Sequence, residues 1–205
     1  MIGQDVVQEI GDLDDVIAEE ADNSFIPLSD PDITTAELDA VDAVLRSPRI
    51  STGPAAEAFE AAFAEYLGRK YAIAVPSGTM GLLITLLSFG IGPGQEVIAS
   101  PYSFRETAHA ISLSGAMPVF ADIDYWAGTL VAEKVEAKIT EKTRAIVACN
   151  NNGHPAAWAP LRAVAKAHGL ILIEDSTEAI GSKYQARLWG RSEMPPSLIF
   201  RNRHR

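Results

Sequence analysis

The 205-residue chain has a single cysteine, Cys149, so no internal disulfide framework holds it together. That cysteine lies in the apolar stretch RAIVACN, where a small buried hydrophobe is expected and a nucleophile is not. No apolar run reaches the roughly 20 residues that a membrane-spanning helix needs. The first residues have neither the basic start nor the apolar stretch of a secretion signal, so a cytoplasmic protein without a membrane partner is expected. Positive charge is also scarce: 17 Lys and Arg stand against 27 Asp and Glu, a net charge of −10. Nucleic acid is therefore an unsuitable partner, because phosphate contacts need clustered cations. No metal site is expected.

What is present is a globular composition, 47% hydrophobic and 21% charged, long enough for one domain with a sizeable core. The charge is unevenly placed. Residues 1–24 hold eight carboxylates and no Lys or Arg, although Val6, Ile10, Leu13 and Ile17 recur at helical spacing; an acidic, solvated extension is expected, with a partner-binding helix as the alternative. The last fifteen residues, RSEMPPSLIFRNRHR, contain four arginines and one glutamate, a local charge of +3.

Between these ends the pattern is regular. Thr34 followed by Glu37 is a capping box, and Leu38, Val41, Val44 and Leu45 continue it as a helix. A second helix runs through AAEAFEAAFAEYLG to a stop at Gly68. Then come a strand YAIAV (71–75), a helix from Thr79 to about Ser88, a strand EVIAS, a helix to about Ser114 and a strand in MPVFAD. A helix AEKVEAKI, a strand RAIVACN, a helix APLRAVAKAHG and a strand LILIED complete the series. Short apolar strands alternating with amphipathic helices predict an α/β fold, a three-layer arrangement with a mostly parallel sheet covered on both faces.

In such a fold, ligands sit at the carboxyl ends of the strands. After YAIAV, Ser77-Gly78-Thr79 opens a helix whose backbone N–H groups and dipole suit a phosphate, though many such turns bind nothing. After EVIAS, Tyr102 and Phe104 offer rings that either cover a planar ligand or only pack the loop. After LILIED, Asp175 stands at the tip of an apolar strand, where it either meets a protonated heterocyclic nitrogen or caps the next turn. Phosphate turn, stacking ring and terminal carboxylate together are what pyridoxal 5'-phosphate requires.

The stretch from ISTGPAAEAFEAAF to PVFADID, and again TEKTRAIVACNNNGHPAAWAPLRAVAKAHGLILIEDSTEAIGSKYQARLWG, resembles the DegT/DnrJ/EryC1/StrS family over roughly residues 26–190. The resemblance implies a pyridoxal-phosphate-dependent fold type I aminotransferase acting on nucleotide-linked keto-sugars with an amino-acid donor, and a homodimer. By position, Gly78 and Thr79 would hold the phosphate, Phe104 would stack on the ring and Asp175 would pair with the pyridine nitrogen. Glu178 stands where the family usually has Gln beside the phenolic oxygen; a carboxylate there repels a phenolate unless one of them is protonated. His154, in NNNGHP, falls in a variable place and is expected to be a solvated loop residue.

The family's Schiff-base Lys follows the Asp by a little under thirty residues. The lysines here are 70, 134, 138, 142, 166 and 183, and none lies there, so no catalytic residue is assigned and the chain is expected to be inactive alone. Residues 25–190 then read as part of the large domain, between the acidic extension 1–24 and a basic non-family tail 191–205. Back-translated from the third base of each codon, the tail can read Val-Gly-Asp-Ala-Ala-Val-Phe-Asp-Phe-Ser, close to what the family places next. The expectation is a frameshift near Arg191, leaving a truncated family member of poor solubility. The alternative is a lysine-less binding or regulatory protein on the same fold.

Overall fold

The computed structural model describes residues 31–184, 187–188 and 199–200, so the acidic extension and most of the basic tail lie outside the described residues. Residues up to Ser47 form one unit and those from Pro48 onward another. In the first, α1 (Thr35–Leu45) begins at the expected capping box. The Thr34 hydroxyl accepts from Ala36 N at 3.2 Å, and the Glu37 carboxylate accepts from Thr34 N at 2.8 Å.

The second unit opens with α2 (Pro54–Leu67), which starts on a proline and ends at Gly68 in the left-handed conformation, φ 62°. Then follow α3 (Gly78–Ser88), β1 (Glu96–Ala99), α4 (Arg105–Leu113), β2 (Met117–Phe120), α5 (Ala132–Glu136), β3 (Thr143–Cys149), α6 (Trp158–Ala167) and β4 (Ile171–Asp175). Short pairs β5 (Lys183–Tyr184) and β6 (Arg187–Leu188) make a separate antiparallel ribbon, and β7 (Ile199–Phe200) joins the main sheet. The sheet order is β2-β1-β3-β4-β7, parallel throughout.

One expected strand is absent. YAIAV (71–75) has the alternation and β-propensity of a strand but is extended coil, with Tyr71 and Ile73 exposed. A strand needs a ladder, and none of the described strands pairs with it; its Ala74 N–H is taken instead by the Glu60 side chain at 2.7 Å. Sequence alternation measures a half-buried surface, not the presence of a neighbour.

The core has two halves, one on each face of the sheet. Ile98, Ile146 and Ala148 point to one face, where α5 and α6 contribute Val135, Trp158, Leu161 and Ala165. Val97, Ala99, Ala145, Val147 and Ile173 point to the other, where α3 and α4 contribute Leu82, Leu86, Ala110 and Ile111. The period-2 alternation of the central strands therefore fixes both layers, as expected for buried parallel strands. The turn into β2 leaves no room for a side chain: Gly115 has φ +88°, and a Cβ there would lie 2.8 Å from the Pro93 ring. Gly115→Ala is expected to destabilise the chain by about 1–3 kcal/mol, read as a lower urea midpoint.

Candidate functional site

The chain leaves β1 towards β2 at the edge and then returns past β1 to β3 on the other side. The connection direction therefore reverses between β1 and β3, and the crevice outside their carboxyl ends is the natural ligand position of such a sheet. Four loops meet there, tied together by the Asn151 side-chain amide and the Asn152 backbone N–H. Asn151 Nδ2 donates to Tyr102 O after β1 (2.9 Å) and to Gly128 O after β2 (2.6 Å). Asn152 N donates to the Glu178 carboxylate after β4 at 3.2 Å.

Beneath them lies a buried polar hub. Asn150 Oδ1 accepts from Ala156 N (2.7 Å) and Trp158 Nε1 (3.0 Å), while its Nδ2 donates to Ser176 Oγ (2.7 Å) and Glu174 Oε1 (3.4 Å). Asn152 (φ 51°) and Gly153 (φ 77°) form the tight turn that brings Asn151 back against His154. Two successive positive φ values are the geometry that Asn-Gly favours. The run NNNG is the sequence signal for this rim and hub.

The five expected site residues divide by location. Ser77 caps α3, its Oγ accepting from Met80 N at 3.2 Å, so Gly78 and Thr79 are the first two residues of the helix, where backbone N–H groups point out of its end. Phe104 is the residue before α4 and its ring is exposed; Tyr102 instead lays its ring against Gly128, the loop-packing alternative. Asp175 ends β4, partly buried. Its Oδ1 accepts from Thr177 N at 3.1 Å, and its Oδ2 accepts from the Cys149 thiol at 3.7 Å. Burial pushes its pKa up against these two donors and the Thr177 side chain, and the charge of Glu178 pushes the same way as burial. The Cys149 thiol is pushed well up, first by burial and then by the Asp175 charge, which makes it a poor nucleophile, as expected. Glu178 and His154 are exposed, and His154 Nδ1 lies 3.0 Å from its neighbour's carbonyl, Pro155 O.

The profile of the DegT/DnrJ/EryC1/StrS aminotransferase family matches residues 31–201. The chain belongs to this family. The spore coat polysaccharide biosynthesis protein SpsC of Bacillus subtilis is 41% identical to it over 168 residues, 82% of this chain and 43% of SpsC. The chain thus spans less than half the length of that curated relative. The aminotransferase from Psychrobacter cryohalolentis is similar in structure, with TM-score 0.75 at 38% identity, covering 80% of this chain and 42% of that one. The putative sugar aminotransferase Spr1654 from Streptococcus pneumoniae, in its PLP form, matches with TM-score 0.75 at 30% identity, over 80% of this chain and 46% of that one. DegT/DnrJ/EryC1/StrS proteins are pyridoxal-phosphate-dependent aminotransferases, and the α/β architecture described above is theirs. Among the described residues, no helix is long and apolar enough to cross a membrane.

Proposed function

We propose that residues 25–190 are the cofactor-holding part of an aminotransferase acting on nucleotide-linked keto-sugars in amino-sugar biosynthesis, with an amino acid as donor. The observation that carries this is Asp175: a carboxylate at the tip of a parallel strand, raised in pKa by burial although the backbone N–H and side chain of Thr177 and the Cys149 thiol all donate to it, with no cationic partner among these donors. Such a group gains from a cationic N–H partner. The residues fit pyridoxal phosphate. The first turn of α3, with Gly78 and Thr79, would hold its phosphate; Phe104 would cover its ring; Asp175 would keep its pyridine nitrogen protonated; and Glu178, on the rim, would face the remaining polar edge.

When bound, the cofactor supplies an electron sink for a carbanion. The chain's own residues bind and orient it, and Asp175 holds the proton on the ring nitrogen. No lysine of the sequence lies beyond Lys183, eight residues after Asp175, so no side chain of this chain is assigned the proton transfer between substrate and cofactor carbons. The chain is accordingly proposed to bind the cofactor without catalysing transamination. The second reading, a lysine-less binding or regulatory protein, is favoured by the same absence.

Further parts of the proposal are a homodimer, a cytoplasmic location and an out-of-frame origin for residues 191–205. Exposed Ile84 and Leu87 on α3 support the dimer by giving a partner apolar surface to cover. Pyridoxal phosphate added to the chain should give a saturable absorbance change, and borohydride should fix no stoichiometric adduct on any single lysine. Saturable binding with such an adduct would restore an internal Schiff base, and no saturable binding would remove the cofactor from the chain. Nucleotide sequence running past the Gly190 codon tests the tail: a neighbouring frame that stays open into the family's remaining half supports the frameshift.

A further inference from the structure

Between β2 and α5 the chain makes a small hairpin, 123–130, that none of the cofactor chemistry uses. Ile123 bridges Leu130, Asp124 N donates to Thr129 O at 2.8 Å, and Gly128 N donates back to Asp124 O at 3.0 Å. The Asp124 carboxylate closes the tip by accepting from Ala127 N (2.7 Å) and Trp126 N (2.9 Å). Thr129 and Leu130 are buried and anchor the base. On this pinned tip stand the two most exposed large apolar side chains among the described residues, Tyr125 at 86% and Trp126 at 87%. Their rings meet edge to face, centroids 5.0 Å apart and planes at 86°, which leaves open faces on both.

The tip also belongs to the rim of the candidate site. Tyr102, two residues before Phe104, packs its ring so closely on Gly128 that a Cβ there would lie 3.0 Å from it, and Asn151 donates to the carbonyls of both residues.

We propose that Tyr125 and Trp126 form a stacking platform for the nucleobase of the nucleotide-linked substrate. This rests on the aminotransferase function proposed above: the keto-sugar must lie over the Asp175 end of the sheet, and the group it carries must then lie outside it, along the rim. Two rings present about 150–250 Å² each, far below the roughly 800 Å² per partner of a stable protein interface, but about the size of one base. A base offers a flat π-face to either ring, and the hairpin's hydrogen bonds fix the backbone that carries both rings before it arrives, so only side-chain ordering is left to offset the contact.

The test is calorimetric titration of the whole chain with UDP and with dTDP, in parallel with pyridoxal phosphate. Trp126→Ala and Tyr125→Ala are each expected to weaken nucleotide binding about tenfold or more, while Trp126→Phe keeps most of it. Cofactor affinity and the far-UV circular dichroism should not change, nor should Tyr71→Ala, an exposed aromatic elsewhere, affect nucleotides. The platform is overturned if the parent binds neither nucleotide, if the alanine variants bind them as the parent does, or if sedimentation shows that Trp126→Ala only dissociates a dimer. Nucleotide binding that depends on Trp126 in a chain that does not bind pyridoxal phosphate would sink the cofactor proposal and leave the platform standing.

Discussion

Asp175→Asn is expected to make the cofactor-free chain more stable at neutral pH and to weaken its binding of pyridoxal phosphate. Both effects come from one side chain. In the folded chain burial raises the Asp175 pKa above its unfolded value. Between the two values the folded state holds a proton that the unfolded state has lost, so its stabilising contribution is complete below the unfolded pKa and disappears as pH rises through the folded one. At pH 7 the ionised Asp175 is therefore a net cost to folding, and the neutral amide removes it while its single oxygen still accepts from Thr177 N. Thermal midpoints of parent and variant should converge towards low pH and separate as pH rises, with the variant higher. The amide cannot balance a pyridinium charge, so affinity should fall by about 1.5–3 kcal/mol, roughly ten- to hundredfold, in an absorbance titration. A variant less stable than the parent at neutral pH would mean that the carboxylate is already compensated. A variant of unchanged affinity would mean that the cofactor nitrogen is not its partner.

Such opposition between stability and binding marks a site residue, and it explains why this part of the molecule was legible in the sequence. Asp175 follows four apolar residues, LILI and then Glu174, and although it caps the next turn through Thr177 N, an aspartate at the end of such a run also marks a place where a charge faces burial. The helix starts were legible for a local reason too, since the Thr34/Glu37 box and the Ser77 cap each act within three residues. YAIAV was misread because a strand is a property of two segments, and only one is visible in a local pattern. Ile199 and Phe200 gave no local signal at all, yet they pair with Glu174 and Asp175. That pairing is made by backbone groups on the side of β4 away from β3, and backbone pairing is open to almost any sequence, so it is compatible with the out-of-frame origin proposed for the tail. The Asn150 hub was missed for the same non-local reason: Trp158, Glu174 and Ser176 are 8, 24 and 26 residues away from it.

That hub carries the largest stability effect expected in the molecule. Asn150 is 2% exposed, with Trp158 at 1%, Glu174 at 0% and Ser176 at 4% around it. Its amide satisfies donors and acceptors at once, taking Ala156 N–H and the Trp158 indole on its oxygen and giving its hydrogens to Ser176 and Glu174. Leucine shares the branching at Cγ but can do neither. Asn150→Leu strips the acceptor from Ala156 N and a donor from a fully buried carboxylate, each such loss costing about 1–3 kcal/mol. The total expected is about 3–5 kcal/mol, or a midpoint lower by about 10 °C for a chain of this size. Trp158→Phe removes a single one of these bonds while keeping most of the ring in the core, so about 1 kcal/mol is expected. Because Asn150 joins the ends of β3 and β4, its loss should also loosen the backbone beside Asp175, seen as faster amide exchange at Ser176 and Thr177 than at residues of β1. Equal destabilisation by the two variants would locate the energy in the indole packing and not in the amide.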